Sequence, residues 1–281
     1  MPVVVLHADA RAFLARAEGW LRQEEDSNNL FLSLAYQRAS NRRREEPDVF
    51  YATVETEGEV AGCVMRTPPH KVLLTHLPEE AAPAIADALV GRFETIPSVL
   101  GPRGEAIAVA EAWVHRRGGT WSEGMKQRLY RLDEVVPPEG VAGRLRMAGA
   151  ADLATTLRWG GDFTVETGVG PPPSREGMAG RIVAGDVFVW EVEGEALCMA
   201  VSTGRTPRGV RVGYVYTPQE HRRNGYASAL VAALSQRLLD EGLDFCMLYT
   251  DLANPTSNAI YERLGYRPLH DVVDIEVVPG G

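Results

Sequence analysis

The sequence has little cysteine and no long apolar run. Its three cysteines, Cys63, Cys198 and Cys246, show no Cys-x-x-Cys spacing and no clustered histidines nearby. This argues against a disulfide framework and against a zinc site. No stretch approaches the roughly 18 to 20 apolar residues that span a bilayer, and the first residues lack the basic flank of a signal peptide. We therefore expect a cytoplasmic protein with reduced cysteines, no bound metal and no membrane partner.

The sequence also has fewer basic than acidic residues. Lysine and arginine number 29 against 38 aspartates and glutamates, a formal net charge of -9. Such a charge repels nucleic acids and anionic membranes, so a nucleic-acid partner is not expected. The Gly-x-Ser-x-Gly pattern of serine hydrolases is absent as well. The composition, 45% hydrophobic and 24% charged residues, is that of a folded globular protein.

Length and an internal repeat indicate two domains. A chain of 281 residues suits two domains of roughly 130 to 140 residues each. Residues 48–59 and 186–195 both predict a strand, a tight turn and a second strand, and a cysteine-bearing apolar strand follows each. We predict a domain at 1–135 and a second at 141–281, separated by a segment rich in proline and glycine. One long mixed sheet is the alternative.

The second domain has the pattern of a mixed α/β fold. Residues 151–159 predict a helix, and a segment rich in glycine and proline follows at 160–174. Later elements are a short helix at 176–183, strands at 187–193, 196–202 and 210–217, a helix at 226–240, a buried strand at 244–250, a helix at 255–264 and closing strands at 266–278.

Two motifs carry the chemistry of this domain. Between the strand that ends at Thr217 and the helix that begins near Tyr226 lies a loop containing Arg222, Arg223 and Gly225. Backbone N–H groups at a helix start bind phosphate oxygens, and glycine permits a close approach. The second motif runs over residues 254–266, after the next strand, and places Tyr261 on a short helix.

Arg222-x-x-Gly225-x-Ala227 resembles the signature loop (Q/R)-x-x-G-x-(G/A) of the GNAT superfamily of acyl-CoA-dependent N-acyltransferases. Residues 254–266 resemble that family's pattern N-x-x-(A/S)-x-x-(L/I)-Y-x-x-x-G-(F/Y). The resemblance implies two tandem copies of a mostly antiparallel sheet flanked by helices. The first copy would be degenerate, because two adjacent carboxylates, Glu79 and Glu80, stand where a phosphate loop would be and would repel a diphosphate.

The same resemblance implies roles for individual residues. Main-chain groups of Val215, Tyr216 and Thr217 would bind the pantetheine arm of acetyl-CoA, and Asn254 would lie near it. The pyrophosphate would be bound by the loop residues Arg222, Arg223, Asn224, Gly225, Tyr226 and Ala227. Tyr261 would protonate the departing thiolate, a role that suits a phenol because its pKa of about 10 keeps it protonated at neutral pH.

The general base departs from the family pattern. Many relatives carry a glutamate on the strand before the loop, and residues 210–216 contain none. Glu166 is our candidate, ahead of Glu191 and Asp251. The implied activity is transfer of an acetyl group from acetyl-CoA to a primary amine of a small molecule or peptide by direct attack. A non-catalytic acyl-CoA binder or sensor is the alternative, and exposed strand edges would permit a homodimer.

Overall fold

The chain forms two compact units. The computed structural model describes residues 1–40 and 48–280. The charge run at residues 42–46, whose sequence favours a solvated helix end or loop, lies outside the described residues. Unit 1 comprises Met1–Leu129, Asp251–Ala253 and the closing chain from Leu269. Unit 2 comprises Tyr130–Thr250 and Asn254–Pro268. Among the described residues, no helix is both long and apolar enough to cross a bilayer.

One order of elements occurs twice along the chain, when short 3-10 turns are left aside. The first series is β1 Val3–His7, α1 Ala10–Leu21, α2 Asn29–Ala39, β2 Phe50–Thr56, β3 Glu59–Arg66, β4 Val72–Leu74, α3 Ala82–Val90, β5 Ser98–Gly101, α4 Arg103–Arg117 and β6 Thr120–Leu132. The second is β7 Arg144–Met147, α5 Leu153–Thr167, α6 Arg175–Val183, β8 Val187–Val192, β9 Glu195–Thr203, β10 Gly209–Tyr216, α7 Tyr226–Asp240, β11 Phe245–Asp251, α8 Pro255–Arg263 and β12 Arg267–Val278. The predicted tandem α/β fold is confirmed.

The sheet of unit 2 has the strand order β7-β8-β9-β10-β11. The first three neighbouring pairs are antiparallel. β10 and β11 are parallel, because α7 crosses over between them. One face of this sheet packs on α7 through a hydrophobic cluster that includes Val210 and Val212. The opposite face packs through a second cluster that includes Trp159 of α5 and Met178 of α6.

Helix α7 follows its sequence pattern closely. Its side chains Leu230, Val231, Leu234 and Leu238 are buried at helical spacing, which is the pattern of a helix with one face against a sheet. The helix begins and ends where the periodicity predicts, at Tyr226 and Asp240.

Helix α5 is longer than the sequence indicates. The predicted helix ends near residue 159 and a loop follows, whereas α5 continues through Gly160 and Gly161 to Thr167. The reason is packing: a Cβ atom at Gly160 would lie 2.6 Å from Cγ of Pro173 and 3.2 Å from Cε of Met178. Glycine here permits a close approach and does not mark a loop. Glu166 therefore lies in the last turn of a helix, not in a loop.

The closing strand completes the sheet of unit 1. That sheet has the order β1-β2-β3-β4-β5-β12, and residues 273–276 of β12 pair antiparallel with residues 98–101 of β5. Val273, Ile275 and Val277 are buried in the same cluster as Ile85 and Trp113. The sequence assigns all of residues 141–281 to the second domain, whereas the chain from Leu269 onward packs within unit 1.

Ile275→Ala should test this placement. Ile275 is fully buried, so the truncation should lower the free energy of unfolding by about 2 to 5 kcal/mol, measured by urea denaturation. Hydrogen exchange should accelerate in β5 and β4 more than in β10. The neighbouring Glu276→Ala removes an exposed side chain and should change stability little. Faster exchange confined to unit 2 would contradict the placement of this strand.

Candidate functional site

Strands β10 and β11 separate within the sheet of unit 2. Their parallel pairing covers only Gly209–Phe245, Val210–Cys246 and Arg211–Met247. β10 then continues to Tyr216 and β11 to Asp251 with no further pairing between them in the described chain. Polar groups on the facing edges are thus left without their usual sheet partners. This opening is the central feature of the candidate site.

A bulge in β10 lies at the start of this opening. Between Gly213 and Tyr216 the strand advances three residues, whereas its antiparallel partner β9 advances only two, from Val201 to Met199. Tyr214 takes a positive φ of 49° there, which is unusual for a residue that is not glycine. A bulge turns the following backbone away from regular pairing. The last residues of β10 are therefore directed toward the opening.

The loop after β10 is shaped by its backbone. Arg223 and Gly225 have positive φ values of 67° and 80°. A Cβ atom at Gly225 would lie 3.0 Å from Cγ2 of Val141, so this position favours glycine for space as well as for φ. The side-chain amide of Asn224 donates hydrogen bonds of 3.2 Å to the carbonyls of His221 and Arg222. The loop therefore brings the chain tightly into α7.

The start of α7 exposes backbone donors. Ala229 donates to the carbonyl of Gly225 at 3.0 Å, whereas the amides of Tyr226, Ala227 and Ser228 precede the first complete helical turn. Gly225 has no side chain with which to cap them, and the first turn contains no acidic residue. These donors and the positive end of the helix dipole favour an anion at this position.

The two arginines of the loop have different environments. The Arg222 Nη2 atom lies 2.7 and 2.9 Å from the two carboxylate oxygens of Glu166, and its Nε donates to the carbonyl of Thr217 at 2.8 Å. Arg223 is exposed, and the described residues give its side chain no ion pair. Arg222 thus bears a charge that Glu166 balances, while the charge of Arg223 faces solvent.

Glu166 also contacts β10. The Tyr216 hydroxyl donates to a carboxylate oxygen of Glu166 at 3.3 Å. Burial, followed by the negative charges of Glu166 and Asp162, raises the pKa of Tyr216. The structure therefore joins the predicted base to two of the predicted cofactor residues, Arg222 and Tyr216.

The other candidate bases have structural partners. Glu191 forms ion pairs with Arg144 at 2.7 Å and with Arg146, and hydrogen bonds from these arginines lower its pKa. Asp251 accepts a hydrogen bond of 2.8 Å from the amide of Ala253.

Tyr261 lies on the α7 side of the sheet. Its ring packs edge-on against Tyr266 at 5.8 Å between ring centres, and burial raises the pKa of Tyr261 to about 12. Val215 and Tyr226 pack against the same hydrophobic cluster as Tyr261. Tyr216, which contacts Glu166, belongs to the cluster on the opposite face. The predicted acid and base are thus associated with opposite faces of the sheet.

Asn254 has a structural role in addition to the predicted one. Its side-chain oxygen accepts a hydrogen bond of 3.1 Å from the amide of Ser257 and so caps α8. The sequence gives no signal for two other neighbours of the site, Val141 beside Gly225 and Arg181 over the ring of Tyr214.

Comparisons with known proteins agree on the fold. Residues 194–273 match the family model described as FR47-like protein. No curated protein matches the chain. A Drosophila melanogaster protein has a similar structure, with a TM-score of 0.72, 15% identity and complete coverage of both chains.

Two further solved structures carry acetyltransferase names. A GCN5-related N-acetyltransferase from Sphaerobacter thermophilus has a TM-score of 0.64 and 15% identity over 100% of this chain and 96% of its own. A tandem GNAT protein from the clavulanic acid biosynthesis pathway has a TM-score of 0.59 and 13% identity over 100% of this chain and 99% of its own. The chain therefore has the fold of the GNAT acetyltransferases, and its second half contains a segment that matches the FR47-like family model.

Proposed function

We propose that unit 2 binds acetyl-CoA and transfers its acetyl group to a primary amine of a small molecule or peptide. The observation that carries this proposal is the separation of β10 from β11 after Arg211, followed directly by a loop that ends at uncapped helix amides. A long, thin, anionic thioester carrier suits this combination. Its arm would occupy the opening and its diphosphate the helix start.

This arrangement supports the cofactor residues that the resemblance implies. Main-chain groups of Val215, Tyr216 and Thr217 would bind the pantetheine arm as though it were an added strand. The amides of Tyr226 and Ala227, together with Asn224 and Gly225 in the loop, would surround the diphosphate, and Asn254 would lie near the pantetheine.

The reaction needs few chemical groups. The amine nitrogen attacks the thioester carbon, a C–N bond forms, the C–S bond breaks, and the electron pair leaves on sulfur. Tyr261 would supply a proton to that sulfur, and the attacking nitrogen would pass a proton to Glu166 directly or through water. An amide of β10 near Tyr216 would stabilise the oxyanion. Alignment of the two reactants would contribute most of the acceleration.

The Glu166–Arg222 ion pair adds a feature to this scheme. The carboxylate of Glu166 pairs with the guanidinium of Arg222, which the diphosphate would approach. Because both are anions, they compete for Arg222. Binding of acetyl-CoA would therefore release Glu166 from Arg222 as the diphosphate arrives, and a base would become available once the cofactor is in place.

Gly225→Ala should weaken acetyl-CoA binding at least tenfold in isothermal titration calorimetry, because a side chain there is strained at positive φ and reaches Val141. Gly161→Ala is the matched control, since a Cβ atom meets nothing within 4 Å at that helical position. Binding of equal strength in all three proteins would contradict the assigned loop. Binding without release of free thiol in the presence of any amine would instead indicate the non-catalytic acyl-CoA binder.

Tyr261→Phe should lower kcat by about 100-fold or more if this phenol is the proton donor. Thiol release from acetyl-CoA is the measurement. Because burial raises the pKa of Tyr261 to about 12, the wild-type rate should show no alkaline decline up to pH 10. Tyr266→Phe is the control: it removes a buried hydroxyl that lies 2.8 Å from Ser235, so stability should fall while kcat is retained. An unchanged kcat in Tyr261→Phe would exclude the acid role.

Glu166→Gln should separate binding from catalysis. Removing the carboxylate frees Arg222 for the diphosphate, so the dissociation constant for acetyl-CoA should fall by up to about fivefold, the scale of an exposed ion pair. If Glu166 is also the base, kcat should fall in the same variant, most strongly below the amine pKa. The exposed Glu195→Gln should change neither quantity. Weaker cofactor binding in Glu166→Gln would contradict the competition.

A further inference from the structure

The face of unit 2 that packs on α5 and α6 carries an arginine near the strand opening. The guanidinium carbon of Arg181, from α6, lies 5.9 Å from the centre of the Tyr214 ring. Phe163 of α5 packs against the same ring at 5.0 Å between centres. Because Tyr214 belongs to the bulge where β10 leaves β11, the arginine stands beside the start of the opening.

Arg181 is held there by its packing over the Tyr214 ring. Its side chain is half-buried, and within residues 1–40 and 48–280 its guanidinium forms no ion pair with a carboxylate. Arg222, by contrast, lies on the same face of the sheet and is paired with Glu166. A half-buried arginine gains more from an anionic partner than an exposed one, because solvent screens the interaction less.

A second arginine, Arg211, lies on β10, the strand that contains Tyr214. Arg211 alternates with Val210 and Val212, which point into the α7-side cluster, so its side chain is on the face of Arg181. Its guanidinium packs so closely on Gly204 that a Cβ atom there would lie 2.3 Å from Nη2. Burial lowers the pKa of Arg211, Tyr249 raises it, and Arg181 lowers it. Arg211 therefore adds positive charge to the face of the sheet on which Arg181 lies.

The position of this charge fixes which anion it suits. In the proposed binding mode the diphosphate lies beyond Thr217, at the start of α7, and the pantetheine arm runs back along residues 215–217. The thioester end of the carrier then points toward Tyr214, the residue that Arg181 contacts. The anion near Arg181 must belong to the molecule that meets the thioester end of the carrier.

We propose that Arg181, with the charge of Arg211 on the same face of the sheet, binds a carboxylate of the acceptor, so that the preferred substrates are amines that carry a carboxylate group. This inference rests on the proposed function. A guanidinium binds a carboxylate through paired N–H donors in one plane, which would fix the direction of the amine. The same positive charge lowers the pKa of an ammonium group close by, so a larger share of the bound acceptor would be unprotonated and ready to attack.

The test compares amino acids with their amides. β-Alanine, 4-aminobutyrate and phenylalanine are each paired with the corresponding primary amide, and kcat/KM is measured by thiol release from acetyl-CoA. The acid and amide differ in amine pKa, so the criterion is the change in the acid-to-amide ratio between protein variants. Arg181→Gln should lower that ratio by about 10- to 100-fold, the scale of a charge-assisted hydrogen bond, mainly through KM. Arg181→Lys should retain part of it.

Arg175→Gln is the matched control, because Arg175 is an exposed arginine on the same helix, and the ratio should match wild type. An unchanged ratio in Arg181→Gln, or a wild type that prefers the amides, would overturn the inference. If acetyl-CoA binds but no amine is acetylated, the proposed function fails separately. Calorimetry of the three acids against the CoA-loaded protein then decides the carboxylate site: binding lost in Arg181→Gln supports it, and no binding overturns it.

Discussion

The candidate site depends on one constraint, the brevity of the pairing between β10 and β11. Three residue pairs hold these parallel strands together, and within the described residues no further pairing joins them. Parallel strands are normally buried and paired along their length, so an opened pair is stable only where other contacts hold both strands. β9 holds β10 through its antiparallel pairing, and α7 covers one face through tightly packed leucines and valines. The contacts of β10 with β9 and α7 thus hold this strand in place where it is not paired with β11.

The same constraint orders the charges around the opening. The end of β10 leads to the amides at the start of α7 and to two arginines. Arg181 lies over Tyr214 in the bulge, and Arg211 precedes the bulge on the same strand as Tyr214. Positive charge therefore stands at both ends of a short stretch of strand in a chain whose net charge is -9. This separation suits a reaction between two anionic molecules, because each would have its own cationic contact and their mutual repulsion would be reduced.

Much of this arrangement could be predicted from sequence, wherever local pattern and local structure coincide. The leucines of α7, the turn before it and the proline at the start of α8 each indicate the local structure in which they lie. The features that the sequence did not predict all depend on contacts between residues distant in sequence. Gly160 interrupts a helical pattern, yet it belongs inside α5 because Pro173 and Met178 approach it. The Glu166–Arg222 pair joins residues 56 positions apart, and Arg181 meets Tyr214 only through folding. Local sequence patterns therefore cannot predict these contacts.

The closing strand has a consequence for how the protein is made. Residues 273–276 complete a sheet whose neighbouring strand, β5, is synthesised more than 170 residues earlier. A chain emerging from the ribosome therefore presents the first hydrophobic core with one edge uncovered while the entire second unit is translated. Domains usually fold in order as they are made, but here the sheet of unit 1 is complete only after residues 273–276 have been synthesised.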